Sequence, residues 1–511
     1  MYQYLVAFVL FLSMPGLAGG QILPKEGSHL NYRLAGFSFP YQKKTGARCT
    51  IEIAVGSYNK EDSFTKNIVK NVDANSGKVI VELPYFGTSY TWRTVVTETG
   101  KSPVKSSFHH FTTDIVPNID SSVTRVRIIK PAEKYKDACF LLDGSLTMYD
   151  MNGKPLWYLP ISEELNTNGD METRDMNLSP EGTITFMNKQ IYEVDYNANI
   201  LWKGPSASSG RGGGMRENFH HEFTRLNNGH YMALGFEFVY WDSRQNNKLV
   251  LVSEANIGTG RADTNFKRIR LGTINEYDRD GKEVWSWHSI QYFNGSDIFY
   301  HMMPDGSHNL LTHDNAFYFD EKEGAIYISY KNISRVVKIK YPEGNTLNSF
   351  GEKYTQGKPE EGNGMFCGQH CCRVDHEGNL FLFNNNECKH GETPSIVVMK
   401  QPKTPKDKIS KIWEYVCPLE EADKKDSANY VFRTGGSVQE LPDGEIFSCM
   451  STEYSKLFIV NKSKEVLWSA MPEKWNPAKN TWERAHSFKA NMICSRKDLE
   501  KLVWSSEKGK P

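Results

Sequence analysis

The chain lacks a net charge, with 61 lysines and arginines balancing 61 aspartates and glutamates over 511 residues. That balance argues against a general binder of nucleic acid or of acidic membrane surfaces, both of which select a surplus of positive charge. After Gly20 the sequence also lacks long hydrophobic runs, so no segment there is apolar enough to cross a bilayer and the mature chain is expected to be soluble. Sustained helical periodicity is missing as well; only Glu420 to Ser427 has the composition of a short surface helix. There is no Gly-x4-Gly-Lys-Ser/Thr loop for a nucleotide. Thr99-Gly100-Lys101-Ser102 comes nearest, but Val95 stands where the first glycine is required, and the segment reads as a hairpin turn. Cys367, Cys371, Cys372 and Cys388 cluster without the spacing of a common zinc module, which leaves disulfides as their better use.

What is present points to an all-β protein: 12% aromatic residues, 40 glycines and many β-branched runs. The length exceeds one compact core unless a barrel or propeller carries an extra domain. Residues 1–20 hold an apolar stretch from Leu5 to Met14 and a small-residue end, the pattern of a secretory signal without its basic start. A secreted location, extracellular or periplasmic, is therefore expected. With nine cysteines in an exported chain some should pair, and the odd number leaves at least one over.

Residues 21–123 read as a separate β-sandwich of the immunoglobulin or fibronectin type III kind. Cys49 to Val55 and Lys78 to Leu83 alternate as half-buried strands, Tyr90 to Val96 is an aromatic-rich strand, and Phe108 to Thr113 closes the domain. His109 and His110 lie in that last strand and read as structural.

Residues 124–511 repeat. Turns at Asp143-Gly144, Glu181-Gly182, Asn228-Gly229, Glu323-Gly324, Glu377-Gly378 and Asp443-Gly444 alternate with closing strands carrying Trp157, Trp202, Trp285, Trp413 and Trp468, with Phe350 in place of a missing tryptophan. Six turns and six closers predict a six-bladed β-propeller of four-stranded blades. A seventh blade, or closure through the segment from Glu483 to Trp504, stays open at this level.

Three histidines stand out against the repeat. His221 and His370 each precede their turn glycine by eight residues, and His313 precedes its own by eleven, the extra length falling in Asp320-Glu321-Lys322-Glu323. Equivalent positions in a radial repeat face one axis, so His221, His313 and His370 are expected to converge on one pocket. A three-histidine zinc site is one use of such a cluster; Asn315 and Lys331 nearby favour anion handling instead. His220, adjoining His221 on a strand, is expected to point the opposite way.

These segments resemble the PAPS-independent arylsulfate sulfotransferases. His313-Asp314-Asn315 with the strand Ile326 to Lys331 is similar to that family's His-x-Asn region, Gln369-His370 with Leu380 to Asn385 to its nucleophile segment, and His220-His221-Glu222-Phe223 to its double-histidine strand. The resemblance spans essentially the mature chain. It implies a six-bladed propeller behind a small β-sandwich and a two-step transfer of a sulfuryl group between phenols. His370 would be the nucleophile, with His221, His313, Asn315 and Lys331 contacting the sulfuryl oxygens or trading protons. It further implies aryl sulfates and phenols as partners, no cofactor, no metal and no nucleic acid; a homodimer is left open. Lys331 departs from the family's arginine, keeping the charge but losing the planar fork, with Arg335 as a candidate substitute. A descendant that binds sulfated ligands without turnover is the alternative this departure keeps.

The mature chain is predicted to begin near Gln21 and to hold at least one disulfide. Mass spectrometry of secreted protein without reductant checks both; nine free thiols on a chain still carrying Met1 would refute them.

Overall fold

In the computed structural model the described residues are 21–167, 173–188, 190–205, 219–242, 249–250, 266–293, 301–302, 308–309, 312–351, 365–387, 393–403, 408–419, 434–450 and 455–507. The signal segment, the expected helix at Glu420 to Ser427 and Cys388 lie outside them. The protein is all-β, half of it strand. It divides into two compact units, Met1–Asp114 and Ile115–Pro511. Residues 115–123, assigned from sequence to the first domain, belong with the second unit. There Asn118 donates to the Ser145 carbonyl at 2.7 Å, and the Val123 carbonyl takes the Trp475 N–H at 2.9 Å.

In the first unit, one sheet runs in the order Ser28–Leu30, His109–Thr113, Thr88–Glu98, Ala47–Val55, Ile68–Asp73, and a two-stranded sheet pairs Leu34–Ser38 with Lys78–Glu82. The two meet through aromatics: Phe37 of the small sheet lies 5.2 Å from Trp92 and 5.9 Å from Phe111 of the large one, edge-on to both. His109 packs against Trp92, and His110 bridges Glu26 and the Tyr58 carbonyl, both structural as read.

Among its described residues the second unit holds six antiparallel sheets of four or more strands, built mainly from consecutive strands, and a two-stranded one that pairs His301–Met302 with His308–Asn309. The second sheet begins with Arg174–Leu178, the third with Phe223–Arg225, the fourth with Asp314–Asp320, the fifth with His370–Val374 and the sixth with Ser437–Glu440. The first sheet is assembled from both ends of the unit: Ala490–Ile493 pairs antiparallel with Cys139–Leu142, followed by Thr147–Asp150 and Pro155–Tyr158. Asp143-Gly144 is therefore not an equivalent turn. It joins the second and third strands of its sheet, because the C-terminal strand supplies the first.

Strands such as Ile184–Met187, Ala325–Tyr330 and Leu457–Val460 are buried at every residue. These strands are covered on both faces, so the alternation of a half-buried strand is missing from them, whereas closing strands such as Thr346–Gly351 and Ser410–Val416 stay partly exposed. Apolar layers join the second sheet to the third, the third to the fourth, the fourth to the fifth, the fifth to the sixth, and the sixth back to the first.

The closing tryptophans have a shared task. Trp157 donates its indole N–H to the Tyr196 carbonyl at 2.7 Å, Trp285 to Pro342 at 2.7 Å, Trp413 to Lys462 at 3.0 Å and Trp468 to Met151 at 3.0 Å. Each acceptor sits in the hairpin between the third and fourth strands of the next sheet, so every indole ties one sheet to its successor. Trp202 does so by stacking on Tyr231 at 3.7 Å. Phe350, which has no N–H, is buried at the corresponding place.

Trp468→Ala is expected to cost about 3–5 kcal/mol in chemical denaturation, through the cavity it opens between last and first sheets. Trp468→Phe, which keeps most of the area and loses the N–H, should cost nearer 1 kcal/mol. Equal costs would remove the hydrogen bond from the account.

Candidate active site

The strand starts of the third, fourth and fifth sheets bring the predicted histidines together. His221 and His313 lie edge to face with ring centroids 5.3 Å apart. His221 and His370 both contact the ring of Phe488, at 5.8 and 6.3 Å. His370 is 3% exposed, the first residue of its strand. His221 and His313 precede theirs in the left-handed region, with φ of +62° and +57°. Non-glycine residues adopt that conformation only where the surroundings hold it. Here the His221 carbonyl accepts from Lys489 Nζ at 3.0 Å, and the His313 carbonyl accepts the Lys331 N–H at 2.8 Å.

The same backbone turn corrects the expectation for His220. Strand alternation does not apply across a left-handed residue, and His220 Nδ1 lies 2.8 Å from His221 Nδ1. Its ring belongs to the cluster.

Hydrogen-bond partners fix the tautomers. Asn385 Nδ2 donates to the Gly435 carbonyl at 3.0 Å, so Asn385 Oδ1 is the acceptor that faces His370 Nδ1 at 2.8 Å. Nδ1 of His370 therefore carries the proton. Its Nε2 holds a lone pair that accepts the Gly435 N–H at 3.2 Å. His220 Nε2 lies 3.2 Å from the Gly235 carbonyl, which can only accept. With Nε2 protonated, the neutral His220 ring accepts at Nδ1 from His221 Nδ1–H, which leaves His221 Nε2 bare.

Burial pushes all four imidazoles below their ordinary value, His220 and His313 to about 3 and His221 and His370 well down. Cations add to burial: Lys331 acts on His313 and His370, and Arg174 on His220 and His221. The rings are neutral at physiological pH, so two bare Nε2 atoms stand in one cationic cluster. Such a cluster attracts an anion and can offer it a nucleophile and a base.

Lys331 lies close enough to act on His313 and His370, and its ammonium is paired with Glu387 at 2.8 Å. Asn315 takes a different part: its amide donates to the Gln369 carbonyl at 2.7 Å and holds the chain leading into His370. Arg335 does not stand in for the missing fork. It is buried between the Tyr292 and Phe293 rings, 5.9 Å from each centroid. Among the described residues no group of histidine, cysteine, aspartate and glutamate has metal-holding geometry. Two of the roomier cavities, about 460 and 390 Å³, share Asn177, Gln439 and Asn491 and are lined by none of these histidines.

Several site residues escaped the sequence reading. Arg174 was within reach of it, since it precedes Gly182 by eight residues, as His221 and His370 precede Gly229 and Gly378. Its guanidinium lies 4.4 Å above the Phe488 ring. Phe488 and Lys489 gave no signal, because a residue far along the chain places them: Asp143 accepts their N–H groups at 2.9 and 2.8 Å. Lys489 Nζ is then fixed 2.9 Å from Asp175 and 3.4 Å from Glu222. Asn385 gives no signal in the sequence beyond its place at the end of a strand.

Nitrogen-15 spectra of histidine-labelled protein are expected to show His370 protonated at Nδ1 and bare at Nε2; the opposite tautomer would overturn the assignment. Asn385→Ala should abolish that preference and cost about 1–3 kcal/mol for the buried N–H left unpaired.

A family model for arylsulfotransferase (ASST) matches residues 134–424, more than half of the chain, and that span contains His221, His313, Asn315, Lys331 and His370. No curated protein matches the sequence. Among solved structures, a protein of unknown function from Bacteroides caccae is similar at 11% identity and a TM-score of 0.37, covering 73% of this chain and 100% of its own. An auxiliary nutrient binding protein from Bacteroides thetaiotaomicron is similar at 10% identity and a TM-score of 0.32, covering 92% and 89%. Both likenesses are too remote to bear on function. The family match stands by itself and supports a sulfotransferase: the chain belongs to the arylsulfotransferase family.

Proposed function

We propose that the protein transfers a sulfuryl group from an aryl sulfate ester to a phenol, without PAPS, through a sulfohistidine at His370. The observation that carries this reading is the Nδ1–H tautomer of a neutral His370, whose lone pair lies at Nε2 in a cluster of cations and imidazoles. In the first step Nε2 leaves the Gly435 N–H and forms the N–S bond, while the S–O bond to the aryl group breaks and its electron pair departs with the phenolate. The imidazole then carries positive charge, which Asn385 Oδ1 offsets through Nδ1–H. In the second step His221 Nε2 takes the proton of the acceptor phenol, the phenolate oxygen attacks sulfur, and His370 leaves neutral. Phenols suit both steps because their pKa lies near 10. Lys331 and His313 supply positive charge and N–H groups toward sulfuryl oxygens, where charge spreads in the transition state.

The cyclic order of apolar layers and indole ties supports a six-bladed β-propeller for the second unit, and the paired sheets of the first support an immunoglobulin-like sandwich. Export is proposed from the leader. Cys49, Cys139, Cys371, Cys372, Cys417, Cys449 and Cys494 are free thiols; Cys367 is not among them, and Cys388 is the partner proposed for it. The Lys331–Glu387 pair favours a second reading, a protein that binds sulfated ligands without turnover, because it ties up the charge that stands where the family has arginine.

Aryl sulfate without acceptor is expected to release one phenol per site in a burst and leave a sulfuryl group on His370, with turnover following on addition of phenol. His370→Ala should lower turnover by about 10³-fold or more, and His221→Ala or His313→Asn by roughly 10² to 10³. No turnover by the parent would leave the binding reading; full activity of His370→Ala would remove His370 as the nucleophile.

A further inference from the structure

Behind His221, away from the bare Nε2, the cluster continues into a buried carboxylate. Asp314 is 2% exposed, and its Oδ2 lies 3.5 Å from His220 Nε2. That oxygen accepts no hydrogen bond from any described residue, because the His220 N–H is aimed at the Gly235 carbonyl. A buried carboxylate oxygen without a donor is costly unless it has a use. The fold makes room for it: a Cβ on Gly272, in the strand that carries Arg270, would fall 2.1 Å from the Asp314 carboxyl carbon. The contacts thus run in series from His221 Nε2 through its Nδ1–H to His220 Nδ1, and from His220 Nε2–H to Asp314 Oδ2.

We infer that Asp314 and His220 form a proton relay that drains His221 when it deprotonates the acceptor phenol. This rests on the sulfotransferase reading above. As His221 Nε2 takes the phenol proton, its Nδ1 proton crosses to His220 Nδ1. His220 turns from the Gly235 carbonyl and gives its Nε2 proton to Asp314 Oδ2. One proton enters at the site, one arrives on the carboxylate, and both rings end neutral with their tautomers exchanged; reversing the sequence protonates a departing phenolate. Proton affinities run the right way. Burial, only partly offset by Arg270, raises Asp314 to about 7, whereas burial and neighbouring cations hold His220 near 3, so an added proton settles on the carboxylate. His220 and Asp314 touch no substrate; they are positioning residues acting through His221.

The test compares Asp314→Asn and His220→Gln with the parent. The first half-reaction is followed as the burst of nitrophenol from 4-nitrophenyl sulfate, and the second as transfer to two acceptors, phenol and an acidic nitrophenol. A relay leaves the burst within about twofold and slows transfer to phenol by roughly 10- to 100-fold. It spares the acidic acceptor, which arrives already ionised, and so steepens the dependence of rate on acceptor pKa. Damage to the site would slow both half-reactions and both acceptors alike, and that outcome, or no loss at all, overturns the relay. Should one variant fail to fold, the other carries the same comparison. If the parent gives no burst, the sulfotransferase reading fails, and the relay is judged on resting tautomers by nitrogen-15 spectra. It requires Nε2–H on His220 and Nδ1–H on His221, and the reverse assignment overturns it.

Discussion

The second unit depends on one constraint: the central strands of its sheets are buried on both faces. A strand such as Ala325–Tyr330, buried at every position, cannot face water on either side, so no sheet is stable without two neighbours. Stacking one sheet on the next answers that requirement and fixes the sheets against each other. The indole hydrogen bonds of Trp157, Trp285, Trp413 and Trp468 set the register of this stacking at its outer edge. Buried carboxylates do the same work nearer the strand starts. Asp175 accepts the Phe223 N–H and Glu222 the Phe317 N–H, both at 2.8 Å, each from the following sheet.

The site inherits its rigidity from this second set of links. Lys489 is held by Asp175 and Glu222 and in turn holds the His221 carbonyl. A histidine in the left-handed conformation is thereby fixed by the same groups that join the sheets. Sulfuryl transfer involves little besides positioning and charge, so a site whose donors are fixed in advance suits it. The cost is four imidazoles buried together, and the protein meets it by keeping them neutral and paired. Asn385 orients one ring, the Gly235 carbonyl a second, and that second ring orients a third.

Much of the site was legible because the repeat is regular. The spacing of His221 and His370 from Gly229 and Gly378 reflects equivalent strand starts, and these glycines have φ of +86° and +82° in matching turns. Applied once more, the rule reaches Arg174. It fails at Asp143-Gly144, where the strand that ought to precede the turn comes from the far end of the chain. It also could not give the direction of His220, because the alternation it borrowed from extended strands breaks at a left-handed residue.

The sequence by itself determined the class of fold, the strands, the tryptophan pattern and the identity of the histidines. Each of these is written in local periodicity or in a repeated motif. Tertiary structure alone decided which nitrogen of each ring carries the proton, since that depends on carbonyls and amides from other strands. It also decided that Lys331 meets Glu387, and that Phe488 and Lys489 complete a cluster whose other members lie over 100 residues earlier. Long-range pairing of the C-terminal strand brings those residues in, and no local pattern encodes a partner so distant in the chain.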